Sequence, residues 1–271
     1  MCPFRSHQAA LPWPTREIQM NAIIVVPTFN EAENVERLVA SVFAQVPDIH
    51  MLFVDDESPD GTGDILDAIA RLPWIAGRLH VLHRTAKDGF ARAYIAGFQW
   101  SLARNYDLII QMDADLSHDP IYLPRMIEAS DKADVVIGSR YLNGVSVVNW
   151  PLWRLLLSWG ANRYVNSITA LNINDCTSGF KIIHRRVLEN IALESMTANG
   201  YSFQVELLFR AHVLQYGLAE VPIIFADRVL GESKMSGKTI REAFIMPLKL
   251  RLKKGRLRRE LTLRAQRQPA K

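Results

Sequence analysis

The sequence predicts an α/β fold of the three-layer α/β/α type with a mostly parallel central sheet. Two observations carry this. Short β-branched apolar runs alternate with segments whose apolar residues recur at helical spacing, joined by short connections. Polar clusters follow the first, second and fourth runs, where parallel strands would have their carboxyl ends and such sheets bind ligands.

The elements follow in order. AIIVVPT, from Ala22, has the composition of a strand buried on both faces. Asn30, with Glu33 three residues on, predicts a capping box with Asn as the cap. It opens a helix on which Val35, Leu38, Val39, Val42, Phe43 and Val46 share one face. HMLFVDD is the second strand, and Ile65, Leu66, Ile69 and Leu72 mark the next helix. LHVLH, a helix around 88–104, DLIIQMD, a helix near 120–131 and DVVIGS continue the alternation. Right-handed crossovers would join these strands in parallel.

Beyond Gly138 the pattern changes. WPLWRLLLSWGANRYVNSITAL reads as a helix rich in Trp and Leu. A strand (FKIIH), a helix (SFQVELLFRAHVLQYG), a strand (AEVPIIF), the loop DRVLGESKMSG and a basic helix follow. The expected organisation is a loose arm over 1–20, one domain over 21–240 and a basic helix or tail over 241–271. Met20 directly precedes the first strand, which leaves the translation start open between Met1 and Met20.

At 271 residues, 49% hydrophobic and 22% charged, the composition excludes general disorder. No apolar run approaches the roughly 18 residues of a spanning helix. The first twenty residues lack the apolar core of a secretory signal. Two cysteines, Cys2 and Cys176, are too few for a disulfide framework or a zinc site, so the expected setting is reducing and cytoplasmic. Charge is uneven. Lys238–Lys271 holds 12 Lys/Arg against 2 Asp/Glu, so within a net charge of +4 the rest of the chain is mildly acidic. A basic end points to an anionic surface, lipid or nucleic acid.

Asp113-Ala-Asp115 ends the fourth strand, and residues two apart in extended chain face the same side. Two carboxylates so placed suit a hard divalent cation whose other positions go to substrate phosphates. By itself the pattern reads equally as a solvated turn. Asp55–Thr62 follows the second strand; an Asp there can accept from the N–H edge of guanine or uracil, and Pro-Asp-Gly is also a plain turn in which Asp60 caps the next helix.

Together PTFNE, VDDESPDGT, DADLSH, GSRY, SGFK and DRVLGESKMS resemble, in order and spacing, the family 2 inverting glycosyltransferases of the GT-A fold. Among these they look like the dolichol-phosphate (polyprenol-phosphate) mannosyltransferases, over about residues 22–240. The resemblance implies a GDP-mannose donor, Mg²⁺ or Mn²⁺, and a polyprenyl phosphate acceptor at a membrane surface. Carried over, Pro27, Phe29 and Glu31 line the nucleotide pocket with Val54 and Asp56. Asp113 and Asp115 hold metal and diphosphate beside the Ala114 backbone. Arg140 sits at the phosphates, Arg154 and Ser158 take the acceptor phosphate, and Arg228 and Lys234 close over the donor. Phe29 stands where the family commonly has Tyr. Ser117 stands where it often has a metal-reaching Gln, so a bridging water rather than direct ligation is implied there.

The chemistry agrees with those residue types. A leaving diphosphate needs cations, and a phosphate nucleophile, already anionic, needs no general base. An arginine clamp would orient it. Trp150, Trp153 and Trp159, with Leu155–Leu157, read either as an interfacial helix delivering the lipid or as a core helix. The basic segment after Ile245 reads either as an anionic-lipid anchor or as a solvated tail. His83 and His118 read as structural hydrogen-bonding residues, and Cys176 as a small buried residue. The expected placement is peripheral, on the cytoplasmic face, with another anchor or a membrane-anchoring partner subunit left open. The rival readings are the same fold using a UDP-sugar (glucose or N-acetylglucosamine), and a non-catalytic nucleotide-sugar-binding or nucleic-acid-binding protein. The lack of an aromatic–basic sheet pattern argues against nucleic acid.

Overall fold

The computed structural model describes residues 21–226, except 76, 86, 87, 149 and 199, and residues 237–267. The 1–20 arm, Arg228 and Lys234 lie outside the described residues.

Seven strands form the central sheet: β1 (Ala22–Thr28), β2 (His50–Asp55), β3 (Leu79–His83), β4 (Leu108–Gln111), β5 (Val135–Ser139), β7 (Lys181–His184) and β8 (Leu218–Pro222). Their order is β3-β2-β1-β4-β7-β5-β8. All pairings are parallel except those of β7, which runs antiparallel between β4 and β5. A second, two-stranded parallel sheet pairs β6 (Val147–Val148) with β9 (Phe225–Ala226).

Alternate residues of each strand feed two cores. Ile23, Val25, Ile109 and Ile183 pack with α3 (Phe90–Leu102) and α7 (Gly200–Val213). Ile24, Val26, Ile110 and Ile182 pack with α1 (Ala32–Gln45), α2 (Thr62–Ala70) and α4 (Leu123–Ser130). This is the three-layer arrangement expected of apolar strands covered on both faces. Gly97 lets α3 lie close on the sheet, since a Cβ there would sit 2.4 Å from Val25 Cγ1.

The α1 cap departs from the capping box. Asn30 is left-handed, with φ of 61°, and Glu31 occupies the cap position without a side-chain cap bond. Instead Ala32 N–H donates to Asp60 Oδ2 (3.1 Å) and Glu31 N–H to Thr62 Oγ1 (3.0 Å). Asp60 Oδ1 also accepts from Thr62 N–H (3.0 Å), so one carboxylate ties the starts of α1 and α2 together.

The Trp-rich segment forms α5 (Leu152–Thr169), one turn-setting proline later than the sequence suggested, because Pro151 takes the cap position. Leu152, Trp153, Leu156 and Trp159 are exposed on it. The basic end is α8 (Gly237–Arg267), a 31-residue helix containing Pro247. It is docked rather than a separate tail: it contacts α5, α6 (Arg185–Asn190) and α7, with Leu250 and Leu261 buried.

Candidate active site

The polar residues gather at the carboxyl ends of β1, β2 and β4, three adjacent strands. At the end of β1, Pro27 and Phe29 are half-buried and Glu31 accepts from the Asn34 side-chain amide (2.7 Å). At the end of β2, Asp55 is tied down by Thr28 Oγ1 (2.9 Å), Ser58 Oγ (2.6 Å) and Ser58 N–H (3.1 Å), which fixes the turn that presents Asp56. Asp56 is itself buried, and Arg84 Nη1 donates to its Oδ1 at 2.7 Å. A base recognised by Asp56 would therefore meet a carboxylate already oriented by Arg84. Val54 lies below this rim: its side chain is in the core against α3, so it offers no side-chain surface there.

Asp113 is held from three sides. Tyr94 on α3 places its hydroxyl 2.8 Å from Asp113 Oδ1. The Asp113 N–H donates to His118 Nδ1 (3.0 Å), which leaves the imidazole proton on Nε2, 4.0 Å from Asp113 Oδ2. Gly179 makes the third side: a Cβ there would stand 3.2 Å from Asp113 Oδ2 and 3.1 Å from the His118 ring. His118 is fully enclosed and stacked on Phe180; burial lowers its pKa, so it stands as a neutral positioning group. The expectation of a structural histidine fits this placement.

Asp115 accepts from both the N–H (3.1 Å) and the hydroxyl (2.5 Å) of Ser117. Ser117 is buried, and its hydroxyl orients its neighbour's carboxylate. Ala114 between the two acids is buried and brings backbone alone to the site.

Arg140 follows β5 and is 5% exposed. Its Nε and Nη2 each donate to Asp175 at 2.7 Å, and Nη2 also reaches Thr177 Oγ1 (2.8 Å). It arrives at the site with its charge largely met by a buried carboxylate. Burial acts to raise the pKa of Asp175, but the Arg140 charge and hydrogen bonds outweigh it and hold the carboxyl below its usual range. Next to Arg140, Tyr141 hydroxyl donates to Ser158 Oγ on α5 (2.8 Å). One turn before Ser158, Arg154 lies over the Trp150 ring at 4.2 Å. Arg140, Arg154 and Ser158 are thus brought to one corner by the start of α5. Of the three tryptophans, Trp153 and Trp159 face outward, whereas Trp150 turns inward.

Several partners have no signal in the sequence. Tyr94, Arg84 and Asp175 reach the site only through tertiary folding. Gly179 and Lys181 stand within the SGFK motif, the one clue to them. Lys181 is wholly buried, donates to Ser178 O and Gln204 Oε1 (2.7 Å), and burial pushes its pKa down to about 7. Burial pushes the Cys176 thiol up, which marks it as unreactive, as its reading as a small buried residue implies.

The donor set fits one kind of metal. Among the described residues no cluster of three or more His, Cys, Asp or Glu is poised as a metal cage. Two half-exposed carboxylates, each oriented by a neighbour, suit a hard cation that keeps waters and takes diphosphate oxygens.

Residues 23–192 match the model of glycosyl transferase family 2. Polyprenol monophosphomannose synthase of Mycolicibacterium smegmatis is 46% identical over 222 residues, covering 82% of this chain and 83% of that protein. Undecaprenyl-phosphate mannosyltransferase of Micrococcus luteus is 45% identical over 226 residues, covering 83% and 92%. In three dimensions the chain is similar to glucosyl-3-phosphoglycerate synthase from Mycobacterium tuberculosis, solved with Mn²⁺, UDP-glucose and phosphoglyceric acid. That match has a TM-score of 0.64 at 16% identity and covers 86% of this chain and 80% of that one. The same protein solved with Mg²⁺ and UDP matches with a TM-score of 0.62. At that identity the likeness is one of fold, the GT-A fold expected from the motifs.

Proposed function

The chain belongs to glycosyl transferase family 2, and from that premise we propose that it transfers mannose from GDP-mannose to a polyprenyl phosphate with inversion. The products are a β-linked polyprenyl-phosphate mannose and GDP. Two relatives at 45–46% identity, named for polyprenol and undecaprenyl-phosphate mannosylation, support the sugar and the acceptor.

The observation that carries the reading is the start of α5. Arg154 and Ser158 stand there beside the Arg140 corner, on a helix whose other side exposes Leu152, Trp153, Leu156 and Trp159. A phosphate acceptor attached to a long apolar chain matches that pairing of arginine and apolar surface.

The donor lies, on this reading, across the ends of β1, β2 and β4. Phe29 stacks on the base, and Asp56, steadied by Arg84, accepts from its N–H edge. Asp113 and Asp115 would hold a Mg²⁺ or Mn²⁺ ion, which offsets charge on the departing diphosphate. Tyr94, His118 and Ser117 keep those carboxylates in place before substrate arrives. Arg228 and Lys234 complete the donor side in this proposal, and Arg154 aligns the acceptor phosphate for attack on the anomeric carbon opposite the leaving group. No side chain need remove a proton, because the nucleophile is already an anion.

The protein would act peripherally at the cytoplasmic face of a membrane. Among the described residues no helix is long and apolar enough to cross one. Support comes from the exposed apolar residues of α5 and from Phe244, Ile245, Leu248 and Leu252 on α8, which stand among its cations. The test is to incubate the purified protein with membranes and a panel of labelled nucleotide sugars. Label entering the organic phase from GDP-mannose is the expected result; label from a UDP-sugar instead would replace the donor.

A further inference from the structure

Trp150 is held between two elements. It follows β6 by two residues and precedes Pro151, whose extended backbone opens α5. Its ring meets Phe225 of β9 edge-on, with centroids 5.6 Å apart. The Arg154 guanidinium lies over the ring at 4.2 Å and that of Arg140 at 5.5 Å. Phe225 and the β6–β9 pairing therefore fix the indole between two arginines.

Its Nε1–H is buried and has no hydrogen-bond partner among the described residues. Buried donors in folded proteins are nearly always paired, because an unpaired one forfeits its bond to water. An indole can only donate. The group that would complete it is an acceptor, and two guanidiniums beside it favour an anion.

We propose that the Trp150 indole N–H is a ligand for the acceptor's phosphate, donating to one of its oxygens at the Arg154 corner. The inference rests on the acceptor reading given above and adds a residue to it. It assigns Trp150 a different task from Trp153 and Trp159, which face outward. A neutral donor adds directional recognition to a site whose arginines supply charge, so it favours a phosphate ester over an uncharged alcohol of the same chain.

The test reads the indole itself. With indole-¹⁵N labelling the six tryptophans give separate N–H signals, and Trp150→Phe identifies the one in question. Farnesyl phosphate should move that proton downfield, and farnesol should not. Inorganic phosphate moving the same signal would assign the contact to the phosphate rather than to the prenyl chain. In kinetics, Trp150→Phe should raise KM for the lipid phosphate about tenfold with kcat and GDP-mannose affinity held. Its thermal midpoint should stay level or rise, since an unpaired buried donor has gone. Replacing Trp150 with β-(3-benzothienyl)alanine, which has sulfur where the N–H stood, keeps the volume and should reproduce the rise in KM. A purely structural tryptophan would give the opposite: lower stability in Trp150→Phe with no change in KM and no response to farnesyl phosphate. That result, or equal shifts with farnesol, overturns the assignment. The signal reports phosphate-ester binding whether or not mannose is transferred, so failure of the activity reading is told apart from failure of this one.

Discussion

Arg140 and Asp175 meet as a bidentate pair, Nε to Oδ2 and Nη2 to Oδ1, each at 2.7 Å, with Asp175 fully buried. The pair joins the end of β5 to the segment before β7 and carries Thr177 with it. Asp175→Ala would strand the Arg140 charge, and breaking a buried pair from one side costs about 3–5 kcal/mol. The urea midpoint of that variant should fall accordingly. The folded-state pKa of Asp175 is depressed, so its contribution is present above the ordinary carboxylate range. It is lost as pH falls below about 3.9 toward the folded value. Wild type and variant should therefore converge in stability only in acid.

Asp115→Ala should abolish transfer and leave the fold intact, because Asp115 is half-exposed at a strand end and supports no core. Ser117→Ala removes the 2.5 Å clamp on Asp115 but no ligand, so transfer should fall by about tenfold or less. Metal-dependent initial rates check both. Wild-type rates in Asp115→Ala would remove Asp115 from the site, and complete loss in Ser117→Ala would make Ser117 more than an orienting group.

Arg154→Ala should weaken use of the lipid phosphate by about 10- to 100-fold, the worth of a charge-assisted hydrogen bond. Donor affinity should hold, because Arg154 stands on α5 against Trp150, apart from the β1 and β2 ends. Calorimetry with GDP-mannose and acceptor kinetics separate the two. Loss of donor affinity with unchanged acceptor KM would contradict the assignment.

At the amino end of β2, away from the site, His50 Nδ1 lies 2.7 Å from the Tyr106 hydroxyl, and the His80 ring is 5.8 Å from that of His50. Burial, then Arg78, lowers the pKa of His50; burial, then His50 and Arg104, lowers that of His80. Below about pH 6.5 the unfolded chain binds protons that the folded chain refuses, so stability should fall from there toward the lower folded values. Denaturation midpoints at pH 7.5 and 5.5 check this. Burial also lowers the pKa of His118 and His212, so His80→Gln should reduce the difference without removing it; an unchanged pH dependence in that variant would acquit His80.

Membrane attachment is tested without truncation, since Leu250 and Leu261 anchor α8 to the domain. Arg251, Lys253, Arg258 and Arg259 are exposed. Changing all four to Gln should lower partition to anionic vesicles at low salt by roughly 1 kcal/mol per charge, and high salt should do the same to wild type. Trp153→Ser with Leu156→Ser should remove a part that salt does not touch. Sedimentation of all forms gives the answer, and no binding by wild type would count against a peripheral enzyme.

How much of this was legible in the sequence depends on the range of the interaction. The strands were legible because a run such as Ile23–Val26 is buried on both faces and needs no neighbour to be recognised. The direction of β7 was not: Lys181–His184 reads as a strand either way, and its reversal is set by the chain that leads to it. The cap of α1 was misread because the Ala32 N–H is taken by Asp60, 28 residues away. Asp113 and Asp115 were visible as a spaced pair at a strand end. Tyr94 and Asp175 were not, since they meet the site only through packing. Trp150 was read as part of the Trp-rich helix; the structure makes Pro151 the cap and leaves Trp150 before α5, apart from the tryptophans on its exposed face.

The central claim is mannosyl transfer onto a lipid phosphate. It is tested most directly by offering the purified protein GDP-mannose with either a short polyprenyl phosphate or the matching alcohol, and reading the product's mass and anomeric configuration. The account predicts a β-linked mannosyl phosphodiester and GDP with the phosphate, and no transfer to the alcohol. An α-linked product, transfer to the alcohol, or release of free mannose in place of the lipid product would contradict it.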